Sequence, residues 1–454
     1  MKILFVVPEL ESPYQGLSVE LVPMIKKVIS QSRTLARRLD VSQRSLSGLG
    51  LLTAAASARN AFKEIRVEYF DENMEPSHCD DILDQGYDMI ATGGHIFQMN
   101  RMTAIVRNAR KKKIPVVVGG PLVMTFPDYF QRDGVTVIHG ECERIFPEFL
   151  KDYIQNNNRL PIKNFYDSAS YIEMAESPVP LFELAEKYDY SFVGIQATRG
   201  CPFHCEFCQI TDMLGRKYRQ KSMDRIIEEI KRVKALWPEA FFFFYDNDLF
   251  SDREFARNLF KRIHSEGIYL GQWGTNAGAA VYKETELLDL ALKIGDLAYL
   301  GIGFESVSDD SLKTIHNRQK AALRIHYEEI IRSLKEKNIG VYGYFMFGFE
   351  NSRSEDLSSI IAFIKKNEIN AQVSRLIPMP GTKFFNRLVR EYEQDYGPIK
   401  KSGIGKWNII RKYLVDKSGI PEVELNTLLI HAYADIYDDQ FHKEKVLLPA
   451  PQLC

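Results

Sequence analysis

Short apolar runs alternate with longer amphipathic stretches along the first 150 residues. KILFVV (2–7), IRVEYF (65–70), DMIATGG (88–94), IPVVVGG (114–120) and VTVIHG (135–140) predict strands, several closing on glycine, with helices between them at 99–112 and 143–154. Runs apolar at nearly every position suit a parallel sheet covered on both faces, where neither side of a strand meets water. Their alternation with helices predicts a doubly wound α/β domain over 1–150. Ligands of such domains sit beyond the carboxyl ends of the strands, which here carry TGGH (92–95), GGPL (119–122) and GECE (140–143).

The pattern breaks at 151–185, where NNNRLP, NFYDSAS and SPVPLF supply turn formers with little periodicity and predict a linker. A second βα series spans 186–394. SFVGIQA (191–197) is its first strand, and a helix follows from Ser222 with Ile226, Ile227, Ile230, Val233 and Leu236 on one face. After strand FFFFY (241–245), a helix opens with Ser251 and Glu254 at capping-box spacing and stops at Gly267. IYLGQW (268–273), LAYLGIGF (297–304), VYGYFMFGF (341–349) and AQVSRLIP (371–378) continue the strands, with helices at 284–294, 321–337 and 354–366. Six strand-plus-helix units predict a partial (βα)6 barrel of the TIM type. Its interior is expected to be apolar, lined from runs such as Phe241–Phe244 and Phe345–Phe347. From about 395 strand signals stop, which predicts an irregular helical tail over 395–454.

Composition narrows the class. A chain of 454 residues exceeds one ordinary core, at roughly 150 residues per domain. With 45% hydrophobic and 26% charged residues it is globular, and a net charge of −1 with acids and bases intermixed forms no nucleic-acid-binding stripe. The basic run Arg110–Lys113 reads as a solvated helix end. No apolar run approaches the ~18 residues of a membrane span, and MKILFVVP is too short and too weakly flanked for a signal peptide. A cytoplasmic protein is expected. Six cysteines are far from a disulfide framework, so a reducing compartment leaves thiols free for metal or catalysis.

Three of those cysteines fall in TRGCPFHCEFCQI (198–210), spaced C-x3-C-x2-C as Cys201, Cys205 and Cys208. Three thiols cannot pair among themselves. A zinc site would need His204 as fourth ligand, but His204 adjoins Cys205, and neighbouring residues rarely point at one tetrahedral ion. Cys79, Cys142 and Cys454 are isolated. Three thiolates around a cubane iron–sulfur cluster leave one iron open to a substrate or cofactor. The loop also follows the first strand of the series, at the end where barrel active sites lie.

C-x3-C-x2-C after a first barrel strand, with aromatic Phe207 before the last cysteine, resembles the signature of the radical S-adenosylmethionine (radical SAM) enzymes. The resemblance implies a 4Fe–4S cluster on Cys201, Cys205 and Cys208, with SAM on the open iron. It implies reductive cleavage of SAM to a 5′-deoxyadenosyl radical that abstracts a substrate hydrogen, and an external donor such as flavodoxin or ferredoxin. Further motifs agree. YDNDLF (245–250) places Asp246 and Asn247 where the family contacts SAM. GIGFES (301–306) offers Glu305 and Ser306, FMFGFE (345–350) offers Gly348 and Glu350, and PMPGT (378–382) offers Pro380.

The amino-terminal domain is similar to the cobalamin-binding domain of one large subfamily, which often shows GGPH and GEGE. Gly93, Gly94, Gly119, Gly120 and Gly140 would let backbone approach a corrin closely. Leu122 replaces that histidine, Cys142 replaces a glycine, residues 11–45 form an insertion-like stretch, and there is no D-x-H-x-x-G motif. His95 could face the cofactor or simply cap a strand end. Glycine pairs at strand ends otherwise have little physical use, which favours cobalamin. Two functions follow. One is cobalamin-dependent methyl transfer to a small-molecule substrate. The other is a cobalamin-free radical SAM dehydratase, cyclase, epimerase or rearrangement enzyme. A non-enzymatic iron–sulfur or zinc module is the third alternative. Cys454 reads as an incidental terminal thiol.

Overall fold

The computed structural model describes residues 1–10, 24, 26, 27, 30, 32, 44–131, 135–158, 163–168, 170–314, 322–350 and 352–437. Cys454 and most of the 11–45 stretch lie outside the described residues. The first sheet holds β1 (Lys2–Val7), β2 (Arg66–Asp71), β3 (Met89–Gly93), β4 (Val116–Gly119), β5 (Thr136–His139) and β6 (Phe165–Asp167) in the order β2-β1-β3-β4-β5-β6. Every pairing in it is parallel. Successive β1 residues serve opposite faces. Ile3, Phe5 and Val7 pack with the helices Leu49–Ala61 and Cys142–Gln155, while Leu4 and Val6 pack with Met99–Lys111. A strand buried on both sides needs apolar residues throughout, and KILFVV supplies them.

β6 corrects the expectation of a plain linker at 151–185. Its three residues pair with β5 from Val137↔Phe165 to His139↔Asp167 and extend the sheet by one strand. A strand that short lacks the alternation that would announce it.

The second sheet is the predicted partial barrel. β7 (Phe192–Ile195) leads into a hairpin of β8 (Thr198–Arg199) and β9 (Arg219–Gln220). Then come β10 (Phe241–Phe244), β11 (Gln272–Ala277), β12 (Asp296–Glu305), β13 (Val341–Phe347) and β14 (Asn370–Arg375). The six long strands run in the order β14-β13-β12-β11-β10-β7, all parallel, with helices on the outer face. Two local expectations shift. β11 begins at Gln272 rather than Ile268, because Gly271 at φ +73° turns the chain before the sheet. The helix Arg253–Ser265 is capped by Asp252, whose carboxylate accepts from Phe255 N–H (3.0 Å), and not by Ser251.

Both edges of this open sheet are covered. At β7, Leu46 N–H donates to Phe192 O and Ser191 N–H to Arg44 O, each at 2.9 Å, so Arg44–Leu46 lies alongside as a short parallel strap. At β14, the hydroxyls of Tyr433 and Tyr437 donate to Val373 O (2.7 Å) and Ala371 O (2.5 Å). Covered edges do not recruit foreign strands. Those tyrosines belong to the carboxyl-terminal region, whose described part is regular rather than irregular and forms helices Gly403–Ser418 and Glu422–Ile436. Trp407, Ile410, Tyr413 and Leu414 recur at helical spacing and are buried. Trp407 stacks edge-on against Phe126 of the first domain at 5.5 Å. Among the described residues no helix is long and apolar enough to cross a membrane.

Candidate active site

Hydrogen bonds to a buried carboxylate set the chain's path as it leaves β7. Asp246, just past β10, accepts from Ala197 N–H (3.2 Å), Thr198 N–H (2.5 Å) and Thr198 Oγ1 (2.5 Å). Burial pushes its pKa up to about 6, against those three donors, which favour the ionised form. Gly200 then turns at φ +98°, where a Cβ would sit 2.2 Å from Lys217 O, so only glycine fits.

The cysteines follow. Cys201 N–H donates to Gly215 O (3.2 Å) and Cys208 N–H to Cys205 O (3.1 Å). All three thiols are half-buried. Burial pushes the Cys208 thiol up to about 11, and the charges of Cys205, Cys201 and Glu305 act in the same direction. Other parts of the chain hold the loop from two sides. Gln209 Nε2 donates to Thr125 Oγ1 of the first domain (2.8 Å) and to Pro380 O (3.2 Å), while Phe384 N–H donates to Glu206 O (3.0 Å). His204 is exposed, and its ring Nε2 contacts Arg216 Nη2.

Glu305 ends β12 at φ +64°, a region a glutamate rarely occupies. A register shift between Gly303 and Glu305 precedes it, and Ser306 N–H reaches back to Phe304 O (2.8 Å). That i to i+2 bond around a positive φ is the rare, strained form of γ-turn. Backbone strain of about 1–3 kcal/mol persists only where the surroundings impose it. Here it brings a buried carboxylate into the electrostatic field of Cys208.

Asn247 Nδ2 is buried with no hydrogen-bond partner among the described residues. Ser306 is buried, and its Oγ accepts from Ser308 N–H (3.1 Å). Gly348 turns at φ +91°. Glu350 is engaged elsewhere, bound to Arg387 (2.8 Å) on the helix Lys383–Tyr396 and to Lys417 (3.0 Å) on the helix Gly403–Ser418.

The concave face is apolar, as expected, only at its floor. Phe242, Phe244, Phe345 and Phe347 point outward into the main core. Inward, Phe192, Phe241, Phe243, Tyr299 and Tyr342 plug the floor. Above them, Tyr299 and Tyr344 share a hydroxyl–hydroxyl bond (2.5 Å), and Tyr344 donates to Asn276 Oδ1 (3.0 Å). Gln196, Tyr245, Asn276, Tyr344, Gln372 and Ser374 are half-buried, while their neighbours Ile195, Phe244, Thr275, Phe345, Ala371 and Val373 are buried. This alternation marks a chamber faced with amides and hydroxyls. Arg375, at the last position of β14, pairs with Glu422 (2.8 Å) on the last helix.

At the first sheet, the glycines have a use of their own. A Cβ on Gly93 would lie 2.9 Å from Gly119 O and one on Gly94 2.5 Å from Gln98 Oε1, while Gly120 and Gly140 sit at φ +83° and +102°. Strand packing and turns therefore require glycine there whether or not a corrin binds. Leu122 is buried, and Cys142 Sγ turns to Gly50 O (3.8 Å). His95 heads a short 3-10 turn after β3, its N–H donating to Gln98 Oε1 (3.0 Å). Its ring keeps an accessible face, yet surrounding protein holds its pKa below the usual histidine value.

Residues 195–364 match the family model of the radical SAM superfamily. The chain carries a radical SAM domain. Among curated proteins it is 25% identical over 394 residues to a bacteriochlorophyllide d C-12(1)-methyltransferase of Chlorobaculum tepidum, covering 82% of this chain and 83% of that one. It is 26% identical over 347 residues to a hopanoid C-2 methylase of Rhodopseudomonas palustris, covering 75% and 64%, so it spans just under two thirds of that relative. In fold it resembles the radical SAM methyltransferase TsrM of Kitasatospora setae, solved with cobalamin and a [4Fe-4S] cluster (TM-score 0.61, 14% identity, 86% of this chain and 78% of that one).

A radical SAM domain carries a 4Fe–4S cluster and SAM, and the donor set here fits both. Among the described residues no group of His, Cys, Asp or Glu is placed to hold a single metal ion. A cubane takes three thiolates one to each of three irons, and Cys201, Cys205 and Cys208 supply three thiols from one loop. The Asn247 amide, one residue past Asp246, stays buried without a hydrogen-bond partner among the described residues. Reading the sequence missed Glu141, Glu143, Arg199 and Arg219, whose buried ion pairs join the first domain to the radical SAM domain.

Proposed function

We propose that this chain is a cobalamin-dependent radical SAM methyltransferase acting on an uncharged small molecule. The observation that carries the reading is the junction at Gln209. That residue follows the last cluster cysteine and hydrogen-bonds to Thr125 beyond the carboxyl end of β4, so the three thiols and the first sheet's ligand-binding edge adjoin. Relatives named as methyltransferases across most of the chain support the same reading. When bound, the cluster and SAM supply the 5′-deoxyadenosyl radical and cobalamin carries the methyl group.

The chain's own residues position and exclude. Cys201, Cys205 and Cys208 hold the cluster. Asn247, Glu305 and Ser306 flank SAM, with Gly348 and Pro380 leaving room for it, while Asp246 holds the loop. We assign Glu350 to the ion-pair network of the carboxyl-terminal helices. Gly93, Gly94, Gly119, Gly120 and Gly140 form the edge that faces the corrin. The chamber of Gln196, Tyr245, Asn276, Tyr344, Gln372 and Ser374 offers hydrogen bonds and no formal charge, which favours a neutral substrate over an ionised one. A flavodoxin- or ferredoxin-type donor and a cytoplasmic setting complete the proposal, with no role for nucleic acid.

The test is anaerobic reconstitution with iron, sulfide, SAM and hydroxocobalamin under reducing conditions. Retained corrin after desalting, with both 5′-deoxyadenosine and S-adenosylhomocysteine formed, is the expected result. 5′-Deoxyadenosine alone, without corrin, would replace this reading with a cobalamin-free radical enzyme.

Glu305 gives a sharper check. Glycine accepts φ +64° freely, so Glu305→Gly relieves strain of about 1–2 kcal/mol while removing the carboxylate. The expected variant binds SAM about tenfold or more weakly, a loss of ~1.4 kcal/mol or more, without a matching fall in melting temperature. Unchanged SAM affinity by equilibrium dialysis would remove Glu305 from the SAM site.

A further inference from the structure

We infer that Glu141 and Glu143 of the first domain position the loop that carries all three cluster cysteines. The inference rests on the cluster assignment above. That loop, residues 200–218, is the connection of the β8–β9 hairpin, and in the hairpin Arg199 stands directly opposite Arg219. Like charges facing each other across an antiparallel pair push the strands apart. What closes this pair comes from the other domain.

Arg219 grips Glu141 with two nitrogens, Nη1 to Oε2 at 2.8 Å and Nη2 to Oε1 at 2.7 Å. Arg199 Nη1 lies 3.2 Å from Glu141 Oε1 and 3.0 Å from Glu143 Oε1. Side-chain exposure is 2% for Arg219, 3% for each glutamate and 12% for Arg199, so water can do little to screen the arginines from each other. The glutamates are fixed in turn, Glu141 by Ile172 N–H (2.8 Å) and Glu143 by Ser177 Oγ (3.1 Å).

The clamp reaches the first cysteine by two short routes. Arg199 precedes Gly200 and Cys201 in the chain. Arg219 Nη2 also donates to Leu214 O (2.7 Å), next to the Gly215 carbonyl that accepts from Cys201 N–H. The first domain thus fixes both ends of the cysteine loop, and the GECE segment acts on the metal site as a positioning element as well as bordering the corrin edge.

Removing one member of a buried ion cluster leaves an uncompensated charge, so the isosteric variants Glu141→Gln and Glu143→Gln are the tests. In the metal-free full-length protein, amides of 198–219 are expected to exchange hydrogen about tenfold or more faster, while those of β1 to β5 stay unchanged. After reconstitution, the electron paramagnetic resonance spectrum of the reduced cluster with SAM is expected to shift. Arg199→Gln added to Glu143→Gln removes the opposed charge and is expected to return exchange towards wild type. Should Glu141→Gln fail to fold, Glu143→Gln leaves the two-pronged pair intact and decides the matter alone. Exchange that is unchanged, or raised throughout the chain, overturns the clamp. Faster local exchange with an unshifted spectrum overturns its positioning role. A wild-type protein with no cluster signal counts against the proposed function instead, and the metal-free exchange arm still tests the clamp.

Discussion

Alanine at Cys201, Cys205 or Cys208 is expected to abolish both the charge-transfer absorbance of the reconstituted protein and its cleavage of SAM. A cubane on three thiolates already has one iron without a protein ligand. Losing a second leaves it held on two corners, in a half-buried loop that water can enter. Among the described residues no other cysteine can stand in. Cys79 is buried in the first domain and Cys142 turns to Gly50 O. Cys142→Ala is therefore the matched control, expected to retain iron, sulfide and colour. Any single variant of the triad that keeps full absorbance and SAM cleavage would remove that residue from the ligand set, and stoichiometric zinc in a colourless wild type would end the radical reading.

The second large effect belongs to Asp246, which touches no cysteine. Asp246→Ala strands the N–H groups of Ala197 and Thr198 and the Thr198 hydroxyl in a buried site. Each unsatisfied buried donor costs about 1–3 kcal/mol, a sum comparable with a large part of a domain's stability. The expected protein melts well below wild type and retains little cluster, with the deficit seen as iron and sulfide per chain. Asp248→Asn, which alters a neighbouring carboxylate that accepts from Gly278 and Phe250 N–H, is expected to do less to the cluster because neither partner leads into the cysteine loop. Equal cluster content in Asp246→Ala and wild type would sever the link drawn between that carboxylate and the loop.

Much of this architecture was legible because its signals are local. KILFVV and VTVIHG announce buried strands by themselves, and C-x3-C-x2-C is compact enough to recognise. Parity is harder. Alternation along VYGYFMF says that neighbours face opposite ways, but only the helices packed outside decide that Phe345 and Phe347 go out while Tyr344 and Met346 go in. The glycines at 93, 120 and 140 were visible and ambiguous, since a glycine demanded by backbone crowding looks the same as one that admits a cofactor. The Glu141–Arg219 clamp was invisible, because its partners lie far apart in the chain and any one charged residue reads as solvated. The strain at Glu305 was equally hidden, for a dihedral angle leaves no mark on residue type.

The strap at Arg44–Leu46 bears on the order in which the molecule is assembled. Synthesis proceeds from the amino terminus, and early domains generally fold first. The first sheet is complete once Asp167 has emerged, with the strap already made when β7 appears. β7 therefore finds its edge partner already synthesised, and each later long strand pairs with the one before it, from β10 to β14. Nucleation can begin at one edge and propagate without skipping a place. The far edge, at β14, stays open until Tyr433 and Tyr437 arrive. A ribosome stalled between those events would display an unfinished sheet with a single sticky margin, the stage at which a chaperone would have most to protect.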